Sequence, residues 1–180
     1  MAQPSQPGPV KLICGMIASR RELFDEAISE LTAAFGPADL VSEIMDFDLT
    51  DYYNEQMGSP LYRRFVSFEK LIPPDSLAEA KLMTNQVEAR FAERAAGRPT
   101  RPVNLDPGYV APSKLVLASM KDFSHRIYLG RGVYAEVTLL YRRGRWEPLG
   151  WTFPDYASGR YDAFLTEARS RIAGGKEKSK

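Results

Sequence analysis

Apolar positions along the chain switch between two periods, and the switches mark the elements. Lys11–Ala18 (KLICGMIA) is a nearly continuous apolar run, as a buried strand requires. Ser19 followed by Glu22 has the spacing of a capping box. Leu23, Phe24, Ala27, Ile28, Leu31, Ala34 and Phe35 then recur at helical spacing until Gly36-Pro37 ends the helix. Val41–Leu49 reads as a second strand with Asp46 and Asp48 polarising its end, and Thr50 caps a short helical turn that Gly58 closes. Arg63–Ile72 is a third strand, broken by Pro73-Pro74. Ser76 and Glu79 repeat the capping spacing, and Leu77, Ala80, Thr84, Val87 and Phe91 form the buried stripe of a second helix that stops near Gly97. A proline-rich crossing, GRPTRPVNLDPGY, leads to a fourth strand at Ser113–Met120.

That order, β-α-β-β-α-β, predicts an α+β protein of the ferredoxin-like kind, an antiparallel sheet with both helices on one face. A hairpin (Arg126–Leu129 with Val133–Tyr141), a Trp-containing segment and a last helix over Arg160–Ile172 extend it. Tyr161, Phe164, Leu165, Ala168 and Ile172 share one side of that helix. Residues 10–172 are expected to form one domain between disordered tails at 1–9, which holds three prolines, and 173–180. No fixed-period repeat appears, which argues against a solenoid.

Composition narrows the class. A 44% hydrophobic and 26% charged share is that of a globular domain, and no apolar run reaches the ~18–20 residues of a membrane span. The start, MAQPSQPGPV, lacks the basic and apolar regions of a signal peptide. A single cysteine, Cys14, excludes an intramolecular disulfide and a zinc site built on thiolates, so a reduced, cytoplasmic protein is expected. The net charge of +1 hides a polarity: residues 22–97 carry 15 acidic and 6 basic side chains (−9), residues 98–145 carry 9 basic and 3 acidic (+6). A basic half attracts anions such as phosphates, although the two halves can equally solvate the protein or pair with each other.

The candidate chemistry lies between Asn104 and Thr138. Asp106-Pro107-Gly108 suits a type II turn, with proline fixing φ and glycine accepting a positive one, and such a turn either is purely structural or presents Asn104 and Asp106 to a ligand. His125, the only histidine, has the right chemistry for a general acid or base, with Lys114, Lys121 and Arg126 near it in sequence. It also shares the parity of the apolar hairpin face, as a structural histidine would. If Gly130-Arg131-Gly132 is a three-residue loop, residue 129 faces 133, Tyr128 faces Tyr134, and Arg126 faces Glu136. Pairs of that kind stabilise a hairpin by ~0.2–1 kcal/mol each. In a cleft, Glu136 would instead be a base. Asp46, Asp48, Asp51 and Glu55 are a weaker carboxylate cluster of the type that takes Mg²⁺ or Mn²⁺, and no metal is assigned to it. The phosphate loop, the dinucleotide fingerprint, GxSxG, HExxH and an RNP-like strand are all absent. The basic residues Arg142, Arg143 and Arg145 alone do not argue for nucleic acid.

FDLTDYYNEQMG (47–58), VNLDPGYV (103–110), KLVLASMKDFSHRIYL (114–129), GVYAEVTLLY (132–141) and WTFPDY (151–156) resemble, in the same order, an uncharacterised bacterial domain-of-unknown-function family, over about residues 10–172. Some members of that family carry the label "GTP-binding protein". The resemblance implies a small cytoplasmic single-domain protein without an assigned activity, cofactor or catalytic residue, and the GTP label finds no phosphate loop here.

Two expectations follow. In the first, a basic, polar cleft binds a phosphate-bearing small molecule or nucleotide, with or without turnover: Asn104, Lys114, Lys121, Arg126 and Arg131 hold the anion, and His125, Glu136 and Asp106 supply acid–base chemistry. In the second, the chain is a non-catalytic interaction or oligomeric assembly module that uses exposed Tyr and Trp side chains. Converging polar groups favour the first, and internally paired ones beside an aromatic patch favour the second.

Overall fold

The computed structural model describes residues 3–95 and 99–174; the remainder, including most of the 173–180 segment expected as a tail, lies outside the described residues. The elements are β1 (Val10–Ala18), α1 (Leu23–Phe35), β2 (Ala38–Val41), β3 (Met45–Asp46), α2 (Asn54–Met57), β4 (Tyr62–Ile72), α3 (Leu77–Ala95), β5 (Val103–Ala111), β6 (Lys114–Ser119), β7 (Ile127–Gly130), β8 (Val133–Arg142), β9 (Arg145–Pro148), α4 (Pro154–Ala157) and α5 (Asp162–Gly174). The strands form one nine-stranded sheet in the order β2-β4-β1-β5-β6-β8-β7, with β3 on β4 and β9 on β8. Every pairing is antiparallel.

Alternation along β1 sorts the core into two layers. Leu12, Cys14, Met16 and Ala18 face α1 and α3, and pack with Phe24, Leu31, Val87 and Phe91. Ile13 faces the other way, into a cluster with Phe65, Leu115, Leu139, Trp146 and the α5 residues Phe164, Leu165 and Ala168. Helices therefore cover both faces of the sheet, and β1, buried along its whole length, lies inside it between β4 and β5. The apolar stripe read for the second helix is the one α3 buries, with Lys81 added.

Three local readings are corrected. Asp106-Pro107-Gly108 is not a turn but the middle of β5, paired with Cys14, Gly15 and Ile13 of β1. The chain reverses later, at Pro112-Ser113, and 114–119 is the sixth strand rather than the fourth. Gly108 is there because a Cβ would sit 2.5 Å from the Val116 carbonyl oxygen and 2.6 Å from Leu117 Cδ2, a close approach only glycine permits. Val41–Leu49 is broken into β2 and β3. Ser19 does not cap α1, which starts at Leu23 with Glu22 before it and no side-chain cap.

At the β2 end of the sheet a buried ion pair and its neighbours tie four elements together. Lys11, 1% exposed, donates to Asp39. Asp39 also accepts from Ser67 Oγ at 2.6 Å and lies 3.5 Å from the Arg171 guanidinium. Burial opposes its ionisation, but the hydrogen bonds from Lys11 and Ser67 outweigh that and hold its carboxyl below the ordinary 3.8. Replacing Asp39→Asn leaves a buried ammonium with a weakened partner and is expected to cost about 3 kcal/mol or more in urea unfolding at pH 7, with Lys11→Met/Asp39→Asn recovering part of the loss. A carboxyl with a depressed native pKa stabilises above its unfolded value and loses that contribution as pH falls through the native one. The gap between wild type and Asp39→Asn should therefore close below pH 3.8.

Candidate functional site

Between β5 and β6 the sheet forks. β5 pairs with β1 from Val103 to Val110 but with β6 only from Gly108 onward. The backbone of Leu105 turns outward into the gap: its N–H donates to Glu88 Oε1 at 2.7 Å and its carbonyl accepts from Lys81 Nζ at 2.9 Å, both on α3. Backbone groups alternate sides along a strand, so Pro107, two residues on, presents its missing N–H to the same open edge, where no ladder bond is lost.

Those two charges draw in others. Arg101 Nη2 donates to Glu88 Oε2 at 2.9 Å, and Lys81 Nζ stands 3.6 Å from Asp106 Oδ1. Burial pushes the Glu88 carboxyl above its ordinary 4.5, against the pull of Lys81 and Arg101. Asp106 Oδ2 accepts from Asn104 Nδ2 at 2.5 Å and lies 4.0 Å from Arg63 Nη1. Arg63, 3% exposed, donates to Asp155 Oδ2 at 2.8 Å, which also accepts from the Tyr161 hydroxyl at 3.2 Å. Among the described residues, Arg63 Nε and Nη1 and the Tyr156 hydroxyl have no hydrogen-bond partner. The faces of Phe47, Phe65, Tyr156 and Tyr161, 4.9–5.8 Å from the guanidinium carbon, supply the electrostatic contact instead. Burial raises the Tyr161 phenol to about 12, so it stays a donor at neutral pH.

The second polar cluster hangs on β8. Glu136, 3% exposed, accepts from Arg126 Nε at 2.8 Å, and its Oε2 lies 3.0 Å from His125 Nε2. Arg126 Nη1 continues to Ser119 Oγ and the Lys121 carbonyl, both at 2.9 Å, which folds the 120–126 bend onto the sheet. His125 stacks on Trp151, rings 5.3 Å apart and 9° from parallel, and the Phe123 ring lies tilted 5.1 Å from it. Trp151 Nε1 is fixed by the Val137 carbonyl at 2.9 Å. The hairpin register puts Tyr128 opposite Tyr134 and brings Arg126 onto Glu136. Its loop is two residues, not three: Gly130 pairs with Val133, Leu129 is bulged, and Arg131 and Gly132 both take positive φ, 54° and 78°, as a tight hairpin turn requires.

The residues singled out in the sequence thus fall into five places. His125, Arg126 and Glu136 come together, and Asn104 joins Asp106. Lys121 donates to the Tyr52 hydroxyl, and that bond, with the Arg101 and Arg126 charges acting in the same sense, holds the Tyr52 phenol below 10.0. Arg131 pairs with Glu79 at the hairpin tip, and Lys114 stands at the opposite end of β5, beside Tyr109 and Ile172. Asp48 is occupied by Arg160 at 2.5 Å and Asp51 by Asn54 at 2.8 Å; among the described residues no group of three or more His, Cys, Asp or Glu is placed to hold a metal ion. Arg63, Lys81, Glu88 and Asp155 escaped the sequence reading. The one available signal was an arginine pair, Arg63-Arg64, directly before the apolar Phe65-Val66 of a strand.

The architecture is a mixed helix-and-sheet domain built on a nine-stranded antiparallel sheet, and no helix among the described residues is long and apolar enough to cross a membrane. The chain belongs to the family described as Domain of unknown function (DUF4416), which it matches over residues 8–171. No curated protein and no solved structure matches it.

Glu136 anchors the 120–126 bend from within the sheet. Glu136→Ala should strip Arg126 of its carboxylate and lower global stability by about 3 kcal/mol. Hydrogen exchange should accelerate first at 120–130, and a variant exchanging evenly over the whole chain would contradict the anchoring role.

Proposed function

We propose that this chain is a protein-interaction or assembly module whose docking element is the 120–129 bend and the β7 edge. The observation that carries this reading is a connected apolar patch. Of the ten large hydrophobic side chains left exposed among the described residues, Met120, Phe123, Ile127, Tyr128 and Leu129 lie in that one segment, and Trp151 and Tyr52 join it through His125 and Lys121. Ile127 is 71% and Tyr128 59% exposed although they point to opposite faces, so no helix covers either side of β7. Patches of this kind mark interaction sites, and an edge strand offers free backbone groups to an incoming strand. The polar groups beneath are paired with each other, which gives a rigid base and leaves few of them for a substrate.

Of the five residues expected to hold a phosphate-bearing ligand or nucleotide, Lys121 and Arg126 are neighbours, and Arg126 is already held by Glu136. The order β2-β4-β1-β5, with α1 and α3 packed on one side, supports reading the core as ferredoxin-like and β6–β9 as the extension that carries the patch.

An antiparallel strand edge is its own complement across a two-fold axis, so the occupant this reading commits to is a second copy of the chain. Sedimentation of wild type should show a reversible dimer. Phe123→Ser/Ile127→Ser should weaken association about tenfold or more without moving the urea midpoint, because both side chains are exposed. A wild type that stays monomeric at every concentration, or a double variant that dimerises as tightly, would overturn it.

A further inference from the structure

At the end of the sheet opposite the fork, a second surface feature is built differently. A groove of about 370 Å³ lies where β1 begins and β5 turns into β6, within the size range of small-molecule sites. Its walls are apolar and stiff: Pro9, Val10, Pro74, Pro112 and Ile172. Two polar side chains enter it, Lys114 and Tyr109, and among the described residues neither the ammonium nor the phenol hydroxyl has a hydrogen-bond or ion-pair partner.

We propose that this groove binds a small amphipathic monocarboxylate, its carboxylate held by Lys114 and the Tyr109 hydroxyl and its hydrocarbon body laid along the proline and isoleucine wall. The charge count selects this class. Among the lining residues one ammonium and one phenol hydroxyl stand beside an apolar wall, which matches a single carboxylate on a hydrocarbon body better than a phosphate dianion or a neutral lipid. Burial holds the Tyr109 phenol above its ordinary 10.0, so at neutral pH it is a donor to an anion rather than a competing charge. The backbone beneath is pinned. The Pro112 carbonyl accepts from Arg169 Nε at 2.7 Å, and the Ser113 carbonyl accepts from the Tyr141 N–H at 2.8 Å. Lys114 therefore projects from a fixed point, which is what orienting a carboxylate requires. The site is separate from the apolar patch on β7, and either can exist without the other.

An NMR titration of amide shifts with octanoate, 1-octanol and acetate separates head from body. Octanoate should give saturable shifts at Val10, Ala111, Lys114 and Ile172, and acetate should give none at the same concentration. Lys114→Met should weaken octanoate about tenfold or more while leaving octanol within about twofold, and Tyr109→Phe should weaken octanoate by a smaller factor. The proposal fails if octanoate shifts do not saturate, if they centre on 120–129 instead, or if Lys114→Met binds octanoate as wild type does.

Discussion

A strand that carries a proline must leave the ladder on one side at that residue, and in this sheet the consequence spreads through much of the interior. Pro107 faces the side of β5 on which β6 would continue, so the two strands part below Gly108. The exposed backbone of Leu105 then needs partners that no strand provides, and α3 provides them with Glu88 and Lys81. Each of these is a charge brought inside, and a buried charge is tolerable only when paired. Arg101 answers Glu88, Asp106 answers Lys81, and Arg63 stands behind Asp106 with Asp155 as its own counter-ion. Three cations and three carboxylates are thereby linked across α3, β5, β4 and α4, and their formal charges cancel. This network locks the helix layer on one face to the α4–α5 layer on the other, through the one place where the sheet is open.

Much of the scaffold was legible because it depends on period. Leu77, Ala80, Thr84, Val87 and Phe91 repeat at helical spacing and are all buried; so are Tyr161, Phe164, Leu165, Ala168 and Ile172, and the Tyr128–Tyr134 register follows from a short loop between alternating strands. The network was not legible, for two physical reasons. Its members are charged, and a charged residue in an amphipathic pattern is assigned to the surface: Lys81 interrupts a helical stripe, yet it is 4% exposed. Its partners are also remote, since Arg63 and Asp155 are 92 positions apart and nothing local in either segment announces the other. The Asp106-Pro107-Gly108 triplet misled for a related reason. Its turn chemistry is a local preference, and here a β1 strand on one side and α3 side chains on the other override it, turning the same proline and glycine into a fork and a close strand contact.

The distinction that organises the surface is between polar groups that the fold has already used and those it has not. Glu136 holds Arg126 and His125, Asp39 holds Lys11, and the fork residues hold one another; their chemistry is committed to shape. A carboxylate whose oxygens already lie against Arg126 and His125 at the base of a bend is a good foundation for what lies above it. Above Glu136 lies the stack of Phe123, His125 and Trp151, and beyond it the uncovered strand β7. The rigid base and the apolar surface are thus one construction, since the ion pairs that consume the candidate catalytic groups also present the aromatic side chains. Lys114 is the counter-example within the same set of residues. It lies outside that construction, it projects from a pinned turn into an apolar groove, and its ammonium has no partner among the described residues. Of the residues that attracted attention by their chemistry in the sequence, Lys114 is thus the one that, among the described residues, the fold has left unpaired, and the groove it lines is separate from the bend that Glu136 anchors.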